Sequence, residues 1–295
     1  MAKKLKIAGA PISWGVCEAP GWGHQMGPER VLREMSELGL GATEFGPAGF
    51  LPGQAQARAM LLNDLNMEAI GGFFPIVIHR EDHDPLPEVL EELKSYKATG
   101  AYELVIAANT GLDGYDTKRP ELDDAGWQRV FINLNRIREV CDAQGVDAVL
   151  HPHIGTMVET LDDVMRVLQG SNIKFCLDTG HMFIGGTDPV FFSEKHANRV
   201  GHVHMKDVNA KQAEKVRNGD ISYYAGVCNN LYVPLGQGDI DMRQIVKNLV
   251  LGADYDGWFV LEQDLTISTE PLPGAGPVEM ARQSVAFLRA IESEL

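Results

Sequence analysis

The chain has 295 residues, and 41 acidic against 26 basic residues give it a formal net charge of −15. This balance disfavours a nucleic-acid binder, which normally carries a basic face, and it disfavours docking on anionic lipid. No apolar run approaches membrane-spanning length, and four scattered cysteines without a convincing export signal predict reduced thiols and a cytoplasmic location.

One unit repeats along the chain: a short β-rich run, a loop and an amphipathic stretch. The runs are rich in Val, Ile, Leu and Ala, as in strands covered on both faces, and they lie at residues 5–15, 41–47, 67–78, 102–110, 146–156, 173–181, 199–207 and 257–264. Apolar residues spaced three and four apart predict helices at 28–39, 86–100, 127–145, 159–170, 241–252 and 278–295. Eight β-α units in a row predict an α/β fold, a closed (β/α)₈ TIM barrel, with residues 1–295 forming a single domain.

Two loops are unusually long for a compact domain. One covers residues 16–27 after the first strand, and the other covers residues 208–239 after the seventh. Both would lie at the carboxyl end of the barrel, where barrel enzymes keep their active sites. We therefore expect both loops to serve the site.

Polar residues concentrate at the ends of the last four predicted strands. The fifth strand ends in LHPHIGT, with His151 and His153, and the next three end in CLDTGH, HVHMKD and VLEQD. These three endings supply Asp178, His204 and Glu262 from neighbouring strands about 4.8 Å apart. Imidazole and carboxylate groups without a cysteine pair suit Mn²⁺, Co²⁺, Zn²⁺ or Fe²⁺. The sequence therefore predicts a metal site in the mouth of the barrel.

Each of these residues, taken alone, also has a structural interpretation. Asp178 precedes Thr-Gly and would serve as a cap for the next helix, while His204 fits a buried core histidine. Glu262 fits a salt-bridge partner, and Lys206 and Asp207 fit a pair with each other. It is the coincidence of such residues at consecutive strand ends that favours a metal ion.

These strand endings resemble those of the xylose-isomerase-like metal barrels, a superfamily of sugar isomerases, epimerases and dehydratases whose fold apurinic endonucleases share. The opening APISWGVCEAPGWGHQ, together with TEFGPAGFLP and LHPHIGT, is more similar still to the inosose dehydratases of myo-inositol catabolism. This resemblance extends over nearly the whole chain. It implies a metal-dependent lyase that dehydrates 2-keto-myo-inositol (scyllo-inosose) to a trihydroxycyclohexane-1,2-dione.

The resemblance also implies a set of metal ligands. The superfamily usually binds its ion with Glu, Asp, His and Glu, and Asp178, His204 and Glu262 match the last three places. The first place departs from the pattern, because a histidine stands there; we favour His153 as the ligand and assign His151 to substrate contact. The missing glutamate argues against a symmetrical two-glutamate epimerisation and is compatible with a one-way elimination. Mn²⁺ or Co²⁺ is the expected cofactor, with Zn²⁺ or Fe²⁺ as alternatives.

Further residues become candidates for catalysis if the resemblance holds. Glu44, at the end of the second strand, is a candidate base or hydroxyl ligand, with a structural hydrogen bond as the alternative. Lys206 and His181 are candidates for proton donation and substrate contact.

Three residues near the amino terminus are candidates for substrate binding. Trp14 and Trp22 would offer flat apolar walls to the C–H groups of a ring, although core packing also explains Trp14. His24, in the glycine-rich loop, would reach over the substrate.

Three other functions remain open at this stage. A keto-sugar isomerase or epimerase would keep the fold and the metal, and product analysis would distinguish it. A phosphodiesterase acting on DNA would need a basic groove, against which the net charge of −15 speaks. A non-catalytic barrel would bind a polyol or a partner subunit without a metal. The expected partner is a small polyol or keto sugar rather than nucleic acid or membrane, and homo-oligomerisation stays open.

Overall fold

A computed structural model describes residues 3–295, and eight of its parallel strands close into a barrel. The strands are β1 (Lys6–Gly9), β2 (Ala42–Glu44), β3 (Glu68–Ile76), β4 (Glu103–Ala108), β5 (Asp147–Leu150), β6 (Lys174–Asp178), β7 (Val200–Met205), β8 (Asp207–Val208), β9 (Tyr232–Val233) and β10 (Trp258–Leu261). The first seven strands and β10 form the ring, which β1 closes by pairing with β10, while β8 and β9 form a separate antiparallel pair. The predicted (β/α)₈ barrel is confirmed.

Helices connect the strands around the outside of the barrel. They are α1 (Pro28–Glu37), α2 (Ala55–Asp64), α3 (Leu86–Thr99), α4 (Asp124–Asp142), α5 (Leu161–Gly170), α6 (Thr179–Ile184), α7 (Pro189–Lys195), α8 (Ala210–Arg217), α9 (Tyr223–Cys228), α10 (Met242–Lys247) and α11 (Pro277–Glu292). Short 3₁₀ turns cover Pro11–Trp14 and Ala197–Arg199, and a π-helical turn, Asn248–Gly252, extends α10.

All six predicted helices are present, but five more were missed. Helix α2, with the sequence AQARAMLLND, buries only one of its residues, Leu62, so its apolar residues form no clear stripe. Helices α6 to α9 have only six to eight residues each. Such segments are shorter than the window of about 11 residues that a periodicity of 3.6 needs to be recognised.

Local signals explain where several helices begin. Pro28 starts α1 at a position where its missing N–H costs no hydrogen bond. Thr160 and Asp163 form a capping box at the start of α5, in which each side chain accepts from the other residue's backbone N–H. None of the helices within residues 3–295 has the length and apolar content needed to cross a membrane.

The barrel interior is filled by a layer of small and branched side chains below the strand ends. Val105, Val149 and Cys176 form one such fully buried cluster. Side chains alternate along a strand, so Asp178, two residues beyond Cys176, also faces the interior, one layer higher. The register places Asp178 beside His204 on β7. The packed core therefore ends where the polar cluster begins.

The long segment 208–239 is folded rather than irregular. It begins at the second residue of β8 and contains α8, α9 and β9, and the carboxylate of Asp207 anchors its far end. Asp207 accepts backbone hydrogen bonds from Gly236 at 2.8 Å and Gly238 at 3.0 Å. A Cβ at Gly238 would lie 2.2 Å from Asp207 Oδ1, so only glycine allows this approach. Asp207 thus holds the loop and does not pair with Lys206.

Candidate active site

Three of the predicted metal ligands meet at the carboxyl ends of neighbouring strands. Asp178 ends β6, His204 lies on β7, and Glu262 follows the last residue of β10. His204 Nδ1 is 3.5 Å from Asp178 Oδ2 and 3.2 Å from Glu262 Oε2. One ligand atom of each residue lies within 4.8 Å of the other two. The structure therefore brings these three side chains together in one buried cluster.

Asp178 combines the two interpretations that its sequence context allowed. Its Oδ1 accepts a hydrogen bond of 2.8 Å from the backbone N–H of His181 and caps α6. Its Oδ2 points into the cluster instead. The cap fixes the carboxylate plane, and this fixes the direction in which the second oxygen is presented.

His151, and not His153, completes the cluster, which corrects our preference for His153. His151 Nε2 lies 3.2 Å from Asp178 Oδ2. The backbone N–H of His151 still pairs with Ile106 O on β4, so its side chain keeps the inward position of the strand. After the intervening proline the chain turns, and His153 Nδ1 lies 2.7 Å from Ile154 O. The two histidines therefore lie at different places in the site.

Glu44 contacts two histidines from beneath the cluster. Its Oε1 lies 2.8 Å from the Nε2 atoms of both His202 and His204. A carboxylate only accepts, so both Nε2 atoms carry hydrogen, and a neutral His204 has its lone pair on Nδ1, which faces Asp178 and Glu262. Burial alone would raise the pKa of Glu44, but the two imidazoles hold it below its usual value. The structure thus favours an orienting hydrogen bond, rather than a base, for Glu44.

Lys206 places a buried ammonium group beside the cluster. Its Nζ lies 3.0 Å from Glu262 Oε2, 2.8 Å from Asp264 Oδ1 and 3.4 Å from Asp178 Oδ2. Burial alone would lower the pKa of Lys206, but these three carboxylates hold it well above its usual range. The ammonium also lies 3.0 Å from His181 Nε2, and burial together with neighbouring positive groups lowers the pKa of His181. His181 is therefore a neutral acceptor and not the proton donor that we considered.

A cavity of about 410 Å³ opens above these residues. Its polar side is lined by Glu44, His151, His153, His204, Lys206, Glu262 and Asp264. Trp22 lines the other side and packs against the rings of Tyr115, Tyr223 and Tyr224 at centroid distances of 5.7, 5.8 and 5.4 Å. Trp22 therefore lines the cavity, and its contact with a substrate ring stays a prediction.

Three of the predicted contacts lie away from the cavity. Trp14 has no exposed surface and donates its indole N–H to Glu34 Oε2 at 2.8 Å, so it belongs to the core. His24 does not line the cavity, and its Nε2 is 2.6 Å from Glu270 Oε2. His181 lies behind Lys206 and does not reach the cavity surface. The structure therefore corrects the expectation that these three residues contact the substrate directly.

Comparison with known proteins gives matches along nearly the whole chain. Residues 78–291 match the family described as xylose isomerase-like TIM barrel. The chain belongs to this family. It is 32% identical to the rhizopine catabolism protein MocC of Rhizobium meliloti, over 88% of this chain and 82% of that protein. It is 31% identical to the inosose dehydratase of Geobacillus kaustophilus, over 88% of this chain and 87% of that protein.

The family membership also agrees with the three-dimensional comparison. The structure of the IOLI protein with a binding zinc atom superposes with a TM-score of 0.70 at 12% identity, covering 98% of this chain and 99% of that one. At this identity the match shows the shared barrel fold. Several inosose dehydratases match most of the chain, and the protein is accordingly an enzyme of the dehydratase, or hydro-lyase, class within the family.

The cluster of this family member fits a divalent metal ion. His151 Nε2, Asp178 Oδ2 and His204 Nδ1 are all buried, and within the described residues none of them makes a contact with hydrogen-bond geometry, although they lie only 3.2 to 3.5 Å apart. Buried polar atoms without partners are costly, and a cation that they surround would satisfy all of them. Cys176 also lies within 4.8 Å of the two histidines, but it packs in the apolar layer with Val105 and Val149, one layer below the carboxylates. We therefore consider the imidazoles and carboxylates as the ligands.

Sequence reasoning assigned no role to several residues that shape the site. Asp264 belongs to the VLEQD ending but received no role, and Tyr115 and Tyr223 were not predicted because both lie in segments without a predicted strand or helix. The glycine of LHPHIGT was the available signal for Tyr115. A Cβ at Gly155 would lie 2.6 Å from Tyr115 O, and φ is +74° there. Glycine at this position therefore lets the loop after β4 cross the end of β5.

Proposed function

We propose that this protein is a metal-dependent dehydratase that converts 2-keto-myo-inositol into a trihydroxycyclohexane-1,2-dione. The observation that carries the proposal is the convergence of His151, Asp178, His204 and Glu262 beside the ammonium group of Lys206. His151, His204, Glu262 and Lys206 line one cavity, and Asp178 is buried directly behind them. The inosose dehydratases among the relatives support the choice of substrate.

We assign the ion to His151, Asp178, His204 and Glu262. A divalent ion bound there would stabilise the negative charge that develops on the ketone oxygen when the adjacent C–H bond ionises. A donor set of imidazoles and carboxylates without thiolate supports Mn²⁺ or Co²⁺ first, with Zn²⁺ or Fe²⁺ as alternatives. Glu44 orients His204 from behind, as carboxylates commonly do for metal-bound histidines.

We assign the base to His153. The carbonyl of Ile154 accepts from His153 Nδ1, so a neutral His153 carries its lone pair on Nε2. Burial lowers the pKa of His153, which keeps the imidazole neutral and able to accept a proton. In the reaction His153 takes the proton from the carbon next to the ketone.

We assign the acid to Lys206. Its ammonium gives a proton to the β-hydroxyl as the C–O bond breaks, so that this group leaves as water. A carbon–carbon double bond forms, and the resulting enol tautomerises to the dione. The substrate thus loses one water molecule. His153 has gained one proton and Lys206 has lost one, and proton exchange with solvent returns both residues to their starting states.

The relatives and the charge support the remaining parts of the proposal. MocC is named for rhizopine catabolism, and a catabolic role supports a cytoplasmic location for the chain. A net charge of −15 supports a neutral polyol substrate rather than nucleic acid or anionic membrane.

The test compares 2-keto-myo-inositol turnover before and after chelation, and again after addition of Mn²⁺ or Co²⁺. We expect loss and recovery of activity, with a product that has lost one water molecule by mass spectrometry. Glu262→Gln should abolish turnover and weaken metal retention while the circular dichroism spectrum stays unchanged. A product of unchanged mass would instead identify an isomerase or epimerase, and full activity of metal-stripped Glu262→Gln protein would refute the mechanism.

A further inference from the structure

The cavity continues beyond the mouth of the barrel on the side of β3. Phe73 faces the barrel interior, with its ring centroid 5.8 Å from that of His151 and 5.3 Å from that of His153. The next residue, Phe74, points to the opposite face of β3, yet it lines the same cavity. The cavity therefore passes from the inside to the outside of the barrel wall. We call its outer part the side arm; the residues that define it are Phe45, Ala48, Leu51, Arg58, Phe74 and Glu92.

The early end of β2 creates this opening. β2 ends at Glu44, which pairs with Gly71 of β3. Beyond Glu44, no strand of the described part of the chain pairs with that edge of β3, and the chain turns away through Gly46, whose φ is +70°. The side arm then extends towards α2 and α3, which contribute Arg58 and Glu92.

The side arm combines aromatic faces with charged hydrogen-bonding groups. The guanidinium of Arg58 lies 4.7 Å from the ring centroid of Phe45 and donates through Nε to Pro52 O at 3.3 Å. Within residues 3–295 no carboxylate lies within 4.0 Å of this guanidinium. Its terminal nitrogens are therefore available donors, and Glu92 on α3 is a nearby acceptor.

The size of the cavity exceeds the needs of one small ring. Its volume of about 410 Å³ falls in the range of about 300–1,000 Å³ that is usual for larger, drug-sized ligands. A single six-membered polyol held at the cluster would occupy the barrel mouth and leave the side arm to solvent.

We propose that the side arm is a subsite for a second, sugar-like ring, so that the preferred substrate is a glycoside of the reacting keto ring. The C–H face of a sugar packs on aromatic rings such as Phe45 and Phe74, and adjacent hydroxyls pair with a donor and an acceptor such as Arg58 and Glu92. This inference rests on the proposed function, because the first ring is the one that reacts at the cluster.

The experiment compares two unreactive ligands as competitive inhibitors of 2-keto-myo-inositol turnover by the Mn²⁺-loaded enzyme. One is myo-inositol and the other is an α-galactosyl-myo-inositol disaccharide. We expect the disaccharide to bind about tenfold more tightly, which corresponds to one or two added hydrogen bonds and ring contacts. Equal or weaker binding of the disaccharide would overturn the subsite.

Substitutions test whether the added affinity comes from the side arm. Arg58→Ala, which removes the donors, and Ala48→Phe, which fills the arm, should each bring the two inhibition constants to within about twofold of each other. Arg80→Ala is the matched control, because Arg80 pairs with Asp82 outside the cavity, and it should keep the tenfold difference. Retention of the difference in both Arg58→Ala and Ala48→Phe would refute the assignment.

The design separates failure of the subsite from failure of the proposed reaction. If the enzyme does not turn over 2-keto-myo-inositol, the proposed function fails. The same two ligands and variants are then compared by calorimetry, which decides on the side arm without any turnover.

Discussion

The two histidines of LHPHIGT lie two residues apart but have different contacts in the site. His151 continues the ladder of β5 and reaches Asp178, whereas His153 follows the proline and forms a hydrogen bond with the carbonyl of Ile154. The proposed metal ligand and the proposed base therefore lie two residues apart in the sequence. Their roles are separable by experiment because only one of them contacts the cluster.

We predict opposite results for substitutions of these two histidines. His151→Ala should lower the retained metal, because the ion loses one of four ligands. His153→Gln should retain the metal but lower kcat by about 10²–10⁴-fold, the usual contribution of a general base. Elemental analysis of the purified variants, together with steady-state kinetics, measures both effects. Metal loss in His153→Gln with normal metal content in His151→Ala would reverse the assignment.

The sequence predicts single residues well where strand geometry determines their position. Asp178, His204 and Glu262 were found because parallel strands must end side by side. The expected contact of His24 failed because the path of the first loop determines it, and no periodicity describes such a path. Trp14 ends the 3₁₀ turn Pro11–Trp14 and takes the core position that the sequence allowed as the alternative, where it donates to Glu34.

At the level of elements, the segment 208–239 shows how a long loop serves the site. Helix α9 inserts Tyr223 behind the cluster, where its hydroxyl donates to Asp264 Oδ2 at 2.6 Å and lies 2.9 Å from the hydroxyl of Tyr232. The other oxygen of Asp264 lies 2.8 Å from Lys206 Nζ. The segment therefore positions the proposed acid through Asp264. The sequence predicted that this loop is functional, but its two short helices and their buried tyrosines followed only from the structure.

We predict that Tyr223→Phe lowers kcat by about tenfold with little change in KM. The ring stays packed, but the carboxylate of Asp264 loses the hydrogen bond from the tyrosine hydroxyl. A hydrogen bond to a charged group contributes about 1.5–3 kcal/mol, so Asp264 would hold Lys206 less firmly. Tyr224→Phe is the control in the same helix, because Tyr224 is partly exposed and keeps its ring contact with Trp22. A similar kcat for both variants would show that the hydroxyl of Tyr223 does not position the acid.

For the whole molecule, the two ends of the barrel differ in how their buried carboxyl groups are paired. At the carboxyl end, the carboxylates of the site face histidines and Lys206, so that their charges are compensated. At the opposite end, Glu103 begins β4 in register with Asp147 of β5. Its Oε2 is buried and has no hydrogen-bond partner within the described residues. The repeat pattern predicted both strands, but only the closed barrel reveals that this carboxyl group lies in its interior.

Glu103 should make the stability of the protein decrease with increasing pH. Burial, assisted by the charge of Asp147, raises the pKa of Glu103 from 4.5 to about 9. Between these two values the folded chain keeps a proton that the unfolded chain releases, so each pH unit in this window costs up to about 1.4 kcal/mol of unfolding free energy. Glu103→Gln removes this dependence. The unfolding free energy of the variant minus that of the parent, measured by urea denaturation, should therefore rise by up to about 4 kcal/mol from pH 5.5 to 8.5. Glu121→Gln is the control, because the Glu121 side chain is 93% exposed, and its difference in unfolding free energy from the parent should stay constant over the same pH range. If the difference for Glu103→Gln is constant as well, Glu103 is ionised in the folded barrel.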